Sequence, residues 1–234
     1  MEPGFTVSVH DHGYVRYIDH MGTDQRIVEA ARISYSSPSK GAESDKKLLG
    51  YLWRNRHTSP FEIVKITLNI KMPIFIMRQY VRHRMQNLNE VSARYTELPD
   101  EFYRPMYWRM QDDKNKQGSH VPVGDKMEWH KYNNMILDKA YETAYAAYKE
   151  LINNGVAREM ARIVLPVGIY TEIYTSWDLK NLLHFITLRE DSHAQAEIQE
   201  YSKAIKEILL QLFPWTMEAY EKYKWEVKEV EVPA

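Results

Sequence analysis

The strongest constraint on the fold is the strict alternation of polar and apolar residues in KITLNIKM, residues 65–72. The apolar residues Ile66, Leu68, Ile70 and Met72 recur at every second position. In an extended chain, a period of two places all four side chains on one face. The segment therefore predicts a β-strand with one apolar face.

The opening residues predict a β-hairpin. The segments TVSV (6–9) and YVRYIDH (14–20) flank a turn around Asp11, His12 and Gly13. Short β-prone runs joined by turn-forming residues are typical of antiparallel strand pairs.

Most of the remaining chain shows the spacing of amphipathic helices. We expect helices from Asp24, around Leu48–Leu52 up to the segment NRHTSP, from about 127 to 154, within AREMARIVLP, over 177–189 and from Ile198 to Leu212. Gly155 is expected to end the long helix, and Pro166 the short one. The prediction is an α+β fold, mostly helical, with one modest antiparallel sheet, in a single domain over residues 1–234.

Several segments between these elements carry weaker signals. Ser59-Pro60-Phe61-Glu62 fits a helix capping box, in which Ser59 and Glu62 satisfy backbone N–H groups. Residues 36–44 and 104–126 predict polar loops, and the tail WEVKEVEV (225–232) predicts a strand or irregular chain.

Composition and charge exclude several classes of protein. The chain has no cysteine, which excludes disulfides, thiolate metal sites and a cysteine nucleophile. No apolar run reaches the roughly 20 residues of a membrane span, and no signal peptide is apparent, so we expect a cytoplasmic protein without a membrane partner. The net charge of -1 argues against a general nucleic-acid binder. The histidines show no zinc spacing, so no metal site is expected.

Arginines are concentrated at Arg78, Arg82, Arg84 and Arg94, with Glu90 as the only acid among them. Guanidinium groups match phosphates and carboxylates with paired donors, so the cluster predicts an anion-binding site. Two alternatives are a solvated helix face with surface ion pairs and a surface for single-stranded RNA.

The local structure of this cluster is predicted in two parts. A helix is expected from Pro73 to about Met85, stopping near Asn87, and irregular chain is expected from Asn89 to Arg94.

Three side chains near the cluster have specific expectations. His83 lies between two arginines and should resist protonation, because a like charge disfavours the charged imidazole. Ser92 lacks the G-x-S-x-G context of an activated nucleophile, so it is expected to bond a ligand or cap a turn. Arg189 should lie near buried surface, with a salt bridge to Glu190 or Asp191 as the alternative to a functional role.

The stretch RHRMQNLNEVSAR closely resembles the signature of the flavin-dependent thymidylate synthases, R-H-R-x-x-S-x-N-x-x-S-x-R. The matching residues are Arg82, His83, Arg84, Asn89, Ser92 and Arg94, and Asn87 stands at the first serine of the signature. The segments AARISYSS, HTSPFE, RQYVRHR, EMARIVLP and LREDSHAQAEIQEY follow the family's order and approximate spacing. The resemblance therefore covers nearly the whole chain.

This resemblance implies an activity and an assembly. The family makes dTMP from dUMP with methylenetetrahydrofolate as carbon donor, and bound FAD passes between NADPH, the folate and the pyrimidine. The fold is α+β and the enzyme is a homotetramer with active sites shared between subunits. The absence of cysteine agrees with this chemistry, because the family uses no protein nucleophile.

The resemblance also implies the site residues. The flavin-binding positions fall on Ser34, Ser59, Glu62, Arg82, His83, Arg84, Asn89, Glu90, Asp178, Lys180 and His184. The dUMP-binding positions fall on Gln79, Arg82, Glu90, Val91, Ser92, Ala93, Arg94, Arg162 and Arg189, and His57 falls near the flavin and the folate. Arg189 takes the catalytic position, where a guanidinium stabilises negative charge on N3 of the uracil and its neighbouring oxygens.

Overall fold

A computed structural model describes residues 1–113, 115–116 and 118–225. These residues form seven strands: β1 Thr6–Val9, β2 Gly13–Met21, β3 Lys65–Pro73, β4 Gln86–Glu90, β5 Met110–Gln111, β6 Ser119–His120 and β7 Tyr170–Asp178. The α-helices are α1 Asp24–Arg32, α2 Ala42–Arg54, α3 Ile74–Tyr80, α4 Met127–Asn153, α5 Arg158–Ala161, α6 Leu179–Arg189, α7 Ala196–Leu212 and α8 Pro214–Lys222. Short 3-10 helices cover Ile33–Tyr35, Ser59–Ile63 and Arg162–Val164.

The main sheet has five strands in the order β1-β2-β3-β7-β4, and every neighbouring pair is antiparallel. The predicted strand KITLNIKM is confirmed as β3, near the middle of the sheet. Its four apolar side chains are at most 1% exposed, because α6 and α7 cover this face with the rest of the main core. The predicted hairpin is confirmed as β1 and β2, so the fold is the expected α+β class.

Most predicted helices are confirmed with nearly the expected bounds. The long helix α4 was expected over 127–154 and spans Met127–Asn153. Gly155 follows its end with φ of 79°, a conformation that glycine adopts without steric cost. The apolar side chains Leu179, Leu182, Leu183 and Ile186 of α6 are buried, which fixes the orientation of Arg189 at the end of that helix.

The predicted helix from Pro73 to Met85 is wrong in its second half. The helix α3 ends at Tyr80, and the expected irregular stretch begins instead with the edge strand β4, which pairs with β7. The Trp177 indole of β7 donates to the Tyr80 hydroxyl at 2.8 Å, and the Gln86 amide donates to the His83 carbonyl at 2.8 Å. Pairing with β7 therefore replaces the last helical turn by a tight turn and a strand.

Other segments differ from the sequence predictions as well. The capping box at Ser59 is wrong, because this segment is a 3-10 helix whose N-cap is Thr58 and which has no side-chain cap bond. The expected loop 104–126 contains the small β5–β6 hairpin. The strand β7 and the helix α8 were not predicted at all. The tail prediction for 225–232 falls almost entirely outside the described residues.

No helix among the described residues is long and apolar enough to cross a membrane.

Candidate functional site

The turn between α3 and β4, residues 81–85, carries Arg82 and Arg84 of the predicted arginine cluster, and Arg78 lies on α3 just before it. Arg78, Arg82 and Arg84 are exposed, and the Arg82 Nε donates to the Arg78 carbonyl at 3.0 Å. Within the described ranges, the arginines that form ion pairs are Arg26, Arg32, Arg94, Arg104 and Arg109. The cluster at the turn is therefore a concentration of uncompensated positive charge, as an anion site requires.

Arg189 lies against this turn, at the end of α6. Its Nε donates to the His83 Nε2 at 3.0 Å, and its terminal nitrogen reaches the Gln79 carbonyl at 3.4 Å. The alternative salt bridge is not formed, since Glu190 pairs with Lys206 and Asp191 pairs with His193. We call Gln79, His83 and Arg189 the arginine–histidine cluster.

His83 is held in its neutral form, as the sequence predicted. The pKa of His83 is lowered to about 4, chiefly by burial and then by the charges of Arg189 and His184. The expected cause needs correction: burial dominates and the charge comes chiefly from Arg189, which is distant in sequence, rather than from the flanking arginines. A neutral imidazole can accept the Arg189 N–H, which a protonated one could not.

Arg189 itself is half-buried, and burial lowers its pKa. A guanidinium stays charged at neutral pH despite such a shift. Its charge meets no carboxylate among the described residues, so it is available to a ligand in a partly desolvated place, where an electrostatic interaction is stronger than in water.

The remaining flavin-side positions lie on several elements: Asp178, Lys180 and His184 at or near the start of α6, Ser59 and Glu62 on the 3-10 helix that contacts α6, Asn89 on β4 and Ser34 on the 3-10 helix after α1. Ser34, Ser59, Glu62, Asn89 and His184 are exposed, and Lys180 is half-buried. Asp178 has a structural role, because it caps α6 by accepting from the Asn181 backbone N–H at 2.9 Å and from its side chain at 2.8 Å. His57 is exposed, and its ring contacts the Tyr51 ring at 6.0 Å between centroids.

A separate cavity collects most of the dUMP-side positions. It has a volume of about 330 Å³ and lies between β4, β7 and the segment that follows α5. Its lining consists of Ile74, Glu90, Val91, Ser92, Ala93, Leu98, Arg162, Leu165, Ile169 and Thr171. The structure thus brings five of the nine dUMP-side positions together in the cavity lining, and it leaves the other four outside: Gln79, Arg82, Arg94 and Arg189.

The polar groups of this cavity are fixed by neighbours that sequence reasoning missed. The Thr171 hydroxyl, on β7, donates to the Glu90 carboxylate at 2.6 Å. Thr175, on the same strand face, donates to the Gln86 side chain at 2.6 Å. A run of β-branched and aromatic residues at 170–177 was the signal that could have revealed β7 and its threonines.

Ser92 has the environment of a ligand-binding hydroxyl rather than a nucleophile. Its Oγ accepts from the Arg94 backbone N–H at 3.3 Å, and none of the described residues that line the cavity is a histidine. Without a positioned base, a serine hydroxyl is a weak nucleophile. The expected role as a ligand contact or turn cap therefore fits the geometry.

Arg94 and Arg162 are both connected to α5. The Arg94 Nε forms an ion pair with the Glu159 carboxylate at 2.9 Å, and the Arg162 Nε donates to the Glu159 carbonyl at 3.3 Å. Arg94 therefore has an acidic partner that is far away in sequence, unlike Arg78, Arg82 and Arg84. Arg162 lines the cavity and has no ion-pair partner among the described residues.

The comparison with protein families matches residues 16–215 to the family described as thymidylate synthase complementing protein. Among curated relatives, a flavin-dependent thymidylate synthase of Thermus thermophilus is 45% identical over 223 residues, which is 95% of this chain and 81% of the relative. The flavin-dependent thymidylate synthase of Thermosipho africanus is 45% identical over 215 residues, covering 92% of this chain and 93% of the relative.

Solved structures show the same fold. The UMP/dUMP methylase PolB from Streptomyces cacaoi, bound with 5-Br UMP, superposes with a TM-score of 0.81 at 32% identity, covering 93% of this chain and 97% of that chain. The same protein bound with 5-Br dUMP gives a TM-score of 0.82 at 31% identity, covering 93% and 98%.

Proposed function

Because the chain belongs to the family of thymidylate synthase complementing proteins, we propose that it methylates dUMP to dTMP as a flavin-dependent thymidylate synthase. Methylenetetrahydrofolate is the carbon donor, FAD is the cofactor and NADPH is the reductant. The observation that carries this proposal is the 45% identity to flavin-dependent thymidylate synthases over nearly the whole chain.

The residues around the α3–β4 turn fit a flavin nucleotide. Arg82 and Arg84 offer exposed guanidinium groups without acidic partners among the described residues, and these would hold the pyrophosphate. Ser59 and Glu62 are exposed on the 3-10 helix that packs against α6, where they would bond the remaining polar groups. FAD, when bound, supplies the transfer of reducing equivalents that no side chain of this protein can provide.

In the dUMP half of the site, the cavity next to β4 would hold the nucleotide. Arg162 would pair with the phosphate, since its charge lies at the cavity and guanidinium groups bind phosphate strongly. Ser92 and Glu90 would bond the sugar and base, with the carboxylate of Glu90 fixed in position by Thr171. The serine acts as a clamp and forms no covalent bond.

Arg189 would activate the uracil. A guanidinium against N3 and its neighbouring oxygens stabilises the negative charge that raises the reactivity of the ring carbon to be methylated. Neutral His83 orients this guanidinium through its ring nitrogen without adding charge of its own. This route needs no thiolate, in agreement with a chain that has no cysteine.

The separation of the two halves supports a homotetramer with shared active sites. Arg189 and Gln79 are outside the cavity that contains Glu90, Ser92 and Arg162, so one nucleotide would meet both sets if they came from different subunits. The helix α4 supports assembly as well, because Met127, Tyr132, Met135 and Ile136 expose more than half of their surface, and exposed apolar patches mark interfaces. The cytoplasmic location stays a prediction.

A turnover assay tests the function. The protein purified with FAD is mixed with dUMP, methylenetetrahydrofolate and NADPH, and dTMP is measured by chromatography. We expect dTMP to form only in the presence of all components, and the flavin absorbance to change when dUMP is added. A protein that binds no flavin at micromolar concentration, or that forms no dTMP, would contradict the proposal.

A further inference from the structure

A groove between α2 and α8 has features that the reaction described above does not use. Its cavity has a volume of about 350 Å³ and is lined by Lys46, Lys47, Tyr51, Arg54, Lys222 and Tyr223, among others. This volume lies near the lower end of the range for small-molecule sites, roughly 300–1,000 Å³. It can therefore take one part of an extended ligand.

Two of the four cations that line the groove form ion pairs. Lys46 pairs with Glu218 at 2.6 Å and Lys47 pairs with Glu43 at 3.3 Å. Arg54 and Lys222 are exposed and line the same cavity, and within residues 1–113, 115–116 and 118–225 neither has an acidic partner. The lining thus carries two surplus positive charges, which favour an anionic ligand.

The surplus cations lie against aromatic rings. The Arg54 guanidinium carbon is 6.0 Å from the centre of the Tyr51 ring and 5.8 Å from that of Tyr223. The Lys222 Nζ is 5.3 Å from the Tyr223 ring. Contact with ring faces holds these cations in position without using their N–H donors, which stay available for carboxylates.

The groove leads to the predicted flavin and folate region. Tyr51 lines the groove and its ring contacts His57, the residue that the family resemblance places near the flavin and folate. The predicted flavin residue Ser59 follows two positions later. One further cation, Arg56, lies 5.3 Å from the Trp225 ring, between these two places in sequence.

We propose that the α2–α8 groove binds the p-aminobenzoyl-glutamate tail of the folate cosubstrate, with Tyr51 against the aromatic ring and Arg54 and Lys222 pairing with the glutamate carboxylates. The inference rests on the proposed function. Folate tails combine a flat aromatic amide with carboxylates, and γ-linked glutamates extend the series of negative charges. From His57 outward, the groove offers the ring face of Tyr51 and then the surplus cations Arg54 and Lys222. A folate tail presents its aromatic amide and its carboxylates in the same order.

The first experiment measures the tail alone. Binding of p-aminobenzoyl-triglutamate to the FAD-loaded protein is followed by calorimetry at low and high salt. We expect wild-type binding that weakens with salt, and about five- to tenfold weaker binding in Arg54→Gln and in Lys222→Gln, in line with the loss of one charge-assisted bond. Arg26→Gln, which removes an exposed guanidinium on α1, is the matched control and should bind as the wild type does.

The second experiment measures turnover with two donors, the mono- and triglutamate forms of methylenetetrahydrofolate. In Arg54→Gln, we expect KM to rise more for the triglutamate than for the monoglutamate, and KM for NADPH to stay that of the wild type. If KM rises for NADPH alone, the groove binds a phosphate of that nucleotide and the proposal is overturned.

The two experiments separate the groove from the proposed function. Two results would contradict tail binding in the groove: equal binding of the tail by the wild type and both groove variants, or no binding by the wild type. Neither result would affect the proposal that the protein synthesises dTMP. An inactive wild-type protein would instead contradict the proposed function, and the calorimetry would still decide whether the groove binds the tail.

Discussion

The stretch 82–94 divides into two regions that differ in whether their arginines have acidic partners. At the α3–β4 turn, Arg82 and Arg84 are exposed without acidic partners among the described residues, and Arg189 meets only neutral groups. At the end of β4, Glu90 is fixed by Thr171, and beyond the strand Arg94 is paired with Glu159. The first region presents free positive charge, whereas the second presents a cavity whose charges are already positioned.

This difference indicates a division of labour. Free guanidinium groups suit the tight binding of phosphates and the stabilisation of a developing negative charge. A cavity with fixed polar groups suits the recognition of a nucleoside by shape and hydrogen bonds. Variants in the two regions should therefore fail in different ways.

Arg189→Ala should have the most severe consequence. Removing the group that stabilises the uracil charge should lower kcat for dTMP formation by about 10²- to 10³-fold, as for the loss of an oxyanion donor. Steady-state kinetics with saturating dUMP measure this, with Arg26→Ala as the control for loss of an exposed arginine. Turnover near the wild-type rate would remove Arg189 from its catalytic role.

Arg84→Ala should weaken the binding of flavin more than the binding of dUMP. The loss of one guanidinium–phosphate contact should raise the Kd for FAD by about 10- to 100-fold. Titration of the flavin-free protein, followed by the flavin absorbance, measures the change. If the Kd for FAD stays the same while KM for dUMP rises, the free cations belong to the nucleotide substrate instead.

Thr171→Val should act on the second region alone. Without the 2.6 Å hydrogen bond, the Glu90 carboxylate loses its fixed position, and we expect KM for dUMP to rise about five- to tenfold. Thr171→Ser keeps the hydroxyl and should restore the wild-type KM. A loss of flavin affinity in Thr171→Val would show that the two regions are not independent.

The smallest of the expected effects is the contribution of His83 to the pH dependence of protein stability. The folded-state pKa of His83 is about 4, below its ordinary value of 6.5. As pH falls from 6.5 to 4, the unfolded chain binds a proton at this imidazole before the folded chain does, so the free energy of unfolding decreases. Well above this window both states are neutral there and the group has no influence.

His83→Gln removes this contribution. Between about pH 7.5 and about pH 5, the unfolding temperature of the variant should fall less than that of the wild type. The difference between the two falls should be roughly 2–4 °C. Thermal unfolding followed by circular dichroism measures both proteins. Identical shifts would mean that His83 titrates normally in the folded chain.

The sequence was sufficient where hydrophobic periodicity decides the structure. The strand β3 and the helices α4 and α6 follow from the alternation and the helical stripes, because their apolar faces pack against the core whatever their neighbours are. The helix α3 was overestimated because its helical pattern continues past Tyr80, and only pairing with β7 ends it.

The strand β7 was missed because threonines occupy half of its inward face. Thr171 and Thr175 are buried as hydrogen-bond donors to β4 side chains, so the apolar alternation is interrupted. Local periodicity cannot indicate such tertiary partners. For the same reason, the sequence suggested the neutral state of His83 but not Arg189 as the neighbour that contributes to it.

Hybrid tetramers test most directly whether the two regions serve one reaction from different subunits. Arg162→Ala disables the cavity and Arg189→Ala disables the arginine–histidine cluster, so each variant alone should be nearly inactive. When the two are coexpressed, about a quarter of randomly formed sites combine two intact halves, and dTMP formation should recover to about that fraction of the wild-type rate. A hybrid no more active than its parents would contradict a site shared between subunits.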